Sequence, residues 1–100
     1  MERGGCVYIL TNKSNNVLYT GVTSNLQSRM FEHINKVFLN SFTAKYNCYK
    51  LVYYKQFSSI DEAIQNEKYI KGKKREYKIN LITDNNPNWN NLYETEVKFW

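Results

Sequence analysis

Glu67 is the residue in this sequence that most demands a chemical explanation. It lies four residues after Ala63, three after Ile64 and three before Ile70, on the apolar stripe of a stretch patterned as a helix. A carboxylate in that position loses hydration, so it is normally neutralised by a cation, a hydrogen-bond network or protonation. A metal ion is one such cation; an ion pair with Lys or Arg is the plainer one. Arg29 and His33 are four residues apart and share one helical edge beside Met30 and Ile34. Tyr8 and Tyr19 fall in two neighbouring apolar runs, with Gly21 leaving room for a close backbone approach. Singly, each has an ordinary reading: a solvated arginine, a satisfied boundary histidine, two core aromatics. Together, two phenols, a fixed cation, an imidazole and one carboxylate suffice for metal-assisted phosphodiester hydrolysis.

These groups meet only if the elements that carry them fold suitably. The runs CVYILT (residues 6–11) and VLYTGV (residues 17–22), separated by the turn-rich stretch Asn12 to Asn16, read as a β-hairpin. A loop centred between Lys13 and Ser14 predicts Tyr8 directly opposite Tyr19 on one face. Ser24 with Gln27 reads as a capping box, opening a helix through Leu26, Met30, Ile34 and Val37. Residues 40–48 lack clear periodicity and read as a loop before a third strand, Tyr49 to Phe57. Ser59 with Glu62 opens a second long helix with an apolar face through Ile60, Ala63, Ile64 and Ile70, interrupted or ended at Gly72. A further helix through Tyr77, Ile79, Leu81 and Ile82 stops before Asn86-Pro87. Trp89 and Leu92 then dock the tail, whose asparagines shape turns. The expected class is α+β: a small three-stranded antiparallel sheet flanked by helices in the order β-β-α-β-α-α.

With 100 residues and 42% hydrophobic content the chain can close one core and no second one. We expect one domain over residues 1–83, with residues 84–100 packing on it as a tail. Fourteen Lys and Arg against nine Asp and Glu give a formal charge of +5, which favours polyanionic partners. Two cysteines, Cys6 and Cys48, are too few for a four-ligand zinc site and read as reduced packing residues. No apolar run approaches the roughly 20 residues of a membrane span, and no secretory signal is evident, so the expected setting is the cytoplasm, away from any membrane.

CVYIL followed by LYTG resembles the paired segments that name the GIY-YIG nuclease family. Cys6-Val7-Tyr8 stands for the first segment and Tyr19-Thr20-Gly21 for the second, with Cys6 in place of its Gly and Thr20 in place of its Ile. The SRMFEH stretch (residues 28–33) is similar to the family's helix and puts its arginine at Arg29 and its histidine at His33. The likeness continues through FTAKY (42–46), LVYY (51–54), AIQNEKYIKGKKREYKINLI (63–82) and NPNW (86–89). It is strongest to the small single-domain branch, and extends to the N-terminal nuclease domain of the excision-repair incision subunit. The asparagine that some members place after the glutamate has no secure counterpart, although Asn80 is a candidate.

The resemblance implies a DNA-cleaving endonuclease, with a link to DNA repair, in which Tyr8, Tyr19, Arg29, His33 and Glu67 are catalytic and Glu67 holds the metal. Mg²⁺ (or Mn²⁺) needs only one or two carboxylates plus water and substrate phosphate, so a lone Glu67 is chemically sufficient. Arg29 would donate to the non-bridging oxygens, while Tyr19, with Tyr8 or His33 nearby, would activate or orient water. Gly21, Lys45, Tyr46, Lys71, Lys73, Lys74 and Arg75 are the candidate nucleic-acid contacts, joined by Lys50; a solvated basic face is the other reading of the run from Lys71 to Arg75. The partner is DNA, branched or single-stranded forms included and RNA not excluded. The protein is expected to be a monomer, with a protein partner as one source of specificity. Two other readings stay open: a nucleic-acid-binding or partner-binding module that keeps the fold without turnover, and a purely structural domain in which Glu67 is ion-paired.

Overall fold

The run that reads as an unbroken apolar strand is buried along its whole length because it is the centre of the sheet. In the computed structural model, which describes residues 4–100, strand β1 (Gly5–Thr11) has every residue buried. β2 (Leu18–Thr23) pairs antiparallel on one side of it and β3 (Lys50–Phe57) on the other, giving the order β2-β1-β3. Alternation along β1 then sorts two cores. Cys6, Tyr8 and Leu10 face one layer with Leu26, Met30, Leu51 and Val97. Val7 and Ile9 face the other with Val52, Ala63, Ile70 and Ile82.

The hairpin forms as expected, but its register differs. Tyr8 pairs with Gly21 and Leu10 with Tyr19, so the two phenols are diagonal neighbours on one face instead of direct partners. The loop sets this. The Asn12 side chain accepts from the amides of Asn16 and Val17 at 2.9 and 3.2 Å, and Asn15 takes a left-handed φ of 59°. The turn therefore centres one residue later than the apolar pattern suggests, and a two-residue change of partner preserves the face.

Helix α1 (Leu26–Ile34) is capped by Asn25, whose side chain accepts from the Ser28 amide at 3.1 Å; the expected cap, Ser24, lies outside it. Its buried stripe is Leu26, Met30 and His33, whereas Ile34 and Val37 are exposed, which corrects the expected apolar face. The loop over residues 40–48 contains a one-turn helix, α2 (Phe42–Lys45), capped by Ser41. The third strand begins at Lys50, one residue later than expected, and carries a bulge: Ile9 faces Tyr53 while Leu10 faces Leu51, leaving Val52 as the extra residue.

Helix α3 (Ile60–Lys71) opens at Ser59, which accepts from the Glu62 amide, and Gly72 follows its last residue. Ala63 and Ile70 are buried against the sheet, while Ile64 is only half-buried. The fit is close at Gly5, where a Cβ would stand 2.7 Å from the Ala63 methyl. Helix α4 (Arg75–Asn85) buries Ile82 on the same layer. A one-turn helix α5 (Leu92–Thr95) and a 3₁₀ turn (Val97–Phe99) complete the α+β architecture, adding short elements to the expected order.

The tail's asparagines act structurally. Buried Asn86 donates to the carbonyls of Val52 and Asn90 at 3.1 and 2.9 Å, and Asn91 Oδ1 accepts from the Leu51 amide at 3.2 Å. These bonds occupy backbone groups along the outer side of β3, which would otherwise be an open sheet edge. Both cysteines are buried free thiols, and burial pushes Cys6 up to about 11, so neither is poised to react. Among the described residues no helix is long and apolar enough to cross a membrane. Residues 1–3, the start of the expected domain, lie outside the described residues.

Candidate active site

Tyr8 projects from the central strand toward α1 and is 1% exposed. Its hydroxyl lies 3.0 Å from His33 Nε2, and the other ring nitrogen, Nδ1, lies 2.9 Å from Thr43 Oγ1. Thr43 in turn is 3.2 Å from Ser41 Oγ. This chain explains why an imidazole takes the buried place on α1 that the apolar pattern assigns to Ile34. Both ring nitrogens are satisfied, so burial costs little in lost hydrogen bonds.

The chain also fixes the protonation state. Burial, with repulsion from Arg29, pulls His33 down to about 4, so the ring is neutral at pH 7. Burial likewise pushes the Tyr8 phenol well above its ordinary value, with the neighbouring Arg29 guanidinium pulling the other way. A neutral imidazole donates at one nitrogen and accepts at the other. The Tyr8 and Thr43 hydroxyls can each take either role, which makes Tyr8–His33–Thr43 a continuous path for a proton.

Tyr19 stands beside this pair and is half-buried. Its ring centroid is 6.3 Å from that of Tyr8 and 5.8 Å from that of His33, which is edge-on to it. The glycine opposite Tyr8 is required for this packing. A Cβ at Gly21 would lie 2.4 Å from Tyr8 Cζ and 2.5 Å from its hydroxyl oxygen. Gly21 is thus buried beneath a phenol. Arg29, one turn before His33, pairs with Glu32 at 3.3 Å and lies 5.5 Å from the centre of the exposed Phe38 ring. Both members of that ion pair are about one-third exposed, so the pairing is weak and yields readily to a stronger anion.

Glu67 comes from a different helix. It belongs to α3, which packs on the opposite layer of the sheet, and its carboxylate accepts from Lys71 at 3.1 Å. The glutamate side chain is 13% exposed and the lysine 51%. Lys71 also borders a cleft of about 290 Å³ at the open edge of β2, lined by Leu18, Tyr19, Thr20, Phe42, Lys71 and Lys78. Tyr8, Tyr19, Arg29 and His33 therefore converge directly, and Glu67 is linked to the rim of Tyr19's cleft by its own salt-bridge partner.

Among the described residues no group of three or more His, Cys, Asp or Glu side chains gathers to cage a metal. One carboxylate with a single, displaceable lysine partner fits the weak Mg²⁺ site in which most ligands are water and substrate phosphate.

The candidate basic contacts divide. Lys71 borders the Tyr19 cleft, while Lys73 and Lys74 line a separate one with Glu76, Tyr77 and Asn80. Lys73 lies 4.5 Å from the centre of the Tyr69 ring. Arg75 donates to the Asn16 carbonyl at 2.8 Å and Lys50 to Asn15 Oδ1 at 3.0 Å, so both steady the hairpin loop. Lys45 lies over the Tyr46 ring at 5.5 Å, beside the site. Sequence reasoning overlooked Thr43, Phe42 and Lys78. Only Thr43 and Phe42 carried a signal, as part of FTAKY; Lys78 reads as an ordinary surface residue of α4.

A family model described as the GIY-YIG catalytic domain matches residues 4–80. A UPF0213 protein of Clostridium perfringens is 38% identical over 91 residues, covering 91% of this chain and 95% of that protein. The solution NMR structure of a UPF0213 protein from Bacillus halodurans matches with a TM-score of 0.57 and 26% identity, covering 93% of this chain and 97% of that one.

Proposed function

The chain belongs to the GIY-YIG family of nuclease domains, and from that premise we propose that it is a divalent-metal-dependent endonuclease that hydrolyses phosphodiester bonds in DNA. The observation that carries this reading is the meeting of Tyr8, Tyr19, Arg29 and His33 on one face of the sheet, with the Tyr8 hydroxyl 3.0 Å from His33 Nε2. Perturbed titration of two neighbours in a partly open site is typical of groups arranged for proton handling.

Arg29 exchanges Glu32 for the scissile phosphate and donates to its non-bridging oxygens, where negative charge grows as the bond to the nucleophile forms. Tyr19, half-buried and beside the cleft, orients the attacking water and takes its proton as its own hydroxyl proton passes to solvent in the cleft. Tyr8 is held too firmly as a neutral phenol to act as the primary base; with His33 it packs against the Tyr19 ring and keeps it in place. Glu67 would hold the metal, Mg²⁺ or Mn²⁺, which when bound supplies Lewis-acid stabilisation of the leaving oxygen. To do so Glu67 must release Lys71, whose exposed ammonium is then free for a flanking phosphate.

One observation favours a second reading. Glu67 is already ion-paired with Lys71, as expected for a purely structural domain. Incubation with supercoiled, linear and branched DNA and with RNA, in Mg²⁺, Mn²⁺ or chelator, separates the two. Metal-dependent cleavage that is lost in Arg29→Ala supports the nuclease. Neither cleavage under any metal nor salt-sensitive binding supports the structural domain, and salt-sensitive binding alone supports a nucleic-acid-binding module without turnover.

A further inference from the structure

Helix α2 divides its residues between two tasks. Thr43 points inward to His33, while Phe42 and Tyr46 on its outer side are 45% and 42% exposed. Their rings are 4.6 Å apart. Phe42 also lies nearly parallel to Tyr19, at 27° and 6.0 Å between centroids. Three rings thus run in sequence from the active-site phenol out to solvent.

Shielding of the His33–Thr43 bond accounts for one apolar side chain above Thr43. It does not account for a second exposed ring one turn further out. The same rings border positive charge: Lys71 and Lys78 line the cleft with Tyr19 and Phe42, and Lys45 lies over the Tyr46 ring. The cleft is open because β2 is an edge strand, and buried Thr20, which lines it, has a hydroxyl with no hydrogen-bond partner among the described residues. Exposed aromatic faces interleaved with ammonium groups suit a ligand that alternates flat rings with phosphates. A paired base has both faces already stacked on its neighbours, so only an unpaired base can use such a surface.

We propose that Tyr19, Phe42 and Tyr46 form a stacking ramp for unpaired bases, with Lys71 and Lys78 holding the adjoining phosphates. The preferred substrate is accordingly single-stranded nucleic acid, not intact duplex. This deepens the nuclease reading above and depends on it only for the entry of nucleic acid beside Tyr19.

The test is equilibrium binding in chelator, so that no cleavage intervenes, with a short dye-labelled single strand and the duplex of the same sequence. The wild-type protein binds the single strand about tenfold or more tightly than the duplex. Phe42→Ala weakens single-strand binding by about 5- to 150-fold, the range spanned by stacking on one base, leaves duplex binding nearly unchanged, and Phe42→Trp restores it. Lys78→Ala flattens the salt dependence of single-strand binding. Equal or tighter binding of duplex, or a Phe42→Ala loss that is absent or the same on both ligands, overturns the ramp. Should Phe42→Ala fail to fold, Tyr46→Ala and Phe42→Leu make the same comparison. Cleavage is scored separately: single-strand preference without cleavage in any metal sinks the nuclease reading alone, and cleavage of duplex indifferent to Phe42→Ala sinks the ramp alone.

Discussion

The Tyr8 hydroxyl and His33 Nε2 are 3.0 Å apart, joined across 25 residues of sequence from the central strand to the first helix. That bond ties the deepest phenol of the sheet to the only histidine of the chain and, through Thr43, to the short helix that edges the cleft. Burial keeps the histidine neutral, and neutrality lets it pass a proton instead of holding one.

A first consequence concerns acid stability. His33 in the folded protein titrates near 4, below its ordinary 6.5, so between these values the unfolded chain binds the proton more readily. The stability due to His33 is fully present above about pH 6.5, declines as the pH falls toward 4, and is lost below that. The loss is on the order of 3 kcal/mol. Denaturant midpoints measured across this range decline more steeply for wild type than for His33→Gln, in which only the carboxylate contribution remains. Parallel curves for the two proteins disprove the assignment.

Gly21 gives a steric prediction. Tyr8 is 1% exposed and cannot swing away from a methyl group placed 2.4 Å from its Cζ. Gly21→Ala costs about 1–3 kcal/mol, lowering Tm by roughly 5–20 °C. A thermal melt indistinguishable from wild type contradicts the register that pairs these residues.

Thr43 acts through His33 and is a positioning residue. Thr43→Val removes the hydroxyl at nearly constant volume and leaves Nδ1 without its partner, at a cost of about 1–3 kcal/mol. Nitrogen chemical shifts of the imidazole report the change of tautomer balance, and Thr43→Ser restores it. Shifts that do not move in Thr43→Val place the proton path elsewhere.

Much of this was legible in the residues themselves. The apolar runs give the hairpin, its shared tyrosine face and the third strand, because a buried central strand leaves no polar position to confuse the period. What escaped was set by side chains. Asn12 and Asn15 shape the loop and move the register, and a turn held by an amide side chain leaves no trace in hydrophobic spacing. His33 displaces Ile34 from the buried stripe because its partner is Thr43, ten residues away in a segment without periodicity. The stripe position of Glu67 announced a neutralised carboxylate, and the i,i+4 partner Lys71 was there to be read. Which layer of the sheet receives that helix was not, since connection order alone does not choose it.

Arg29 separates charge from shape. Arg29→Lys keeps the cation but loses the planar fork that can contact two phosphate oxygens at once. DNA affinity then changes by less than about threefold while the cleavage rate falls by about 10²-fold. A rate unchanged in Arg29→Lys shows that a point charge is enough.

The central claim is that Glu67, from helix α3, serves the phenol–imidazole cluster. It is tested most directly by single-turnover cleavage of a labelled DNA strand, with binding measured in parallel, for wild type and Glu67→Gln across a Mg²⁺ titration. The account predicts that Glu67→Gln binds DNA about as well as wild type but cleaves at least about 10²-fold more slowly, with the Mg²⁺ dependence lost. Cleavage by Glu67→Gln at the wild-type rate, with the same response to Mg²⁺, would contradict it.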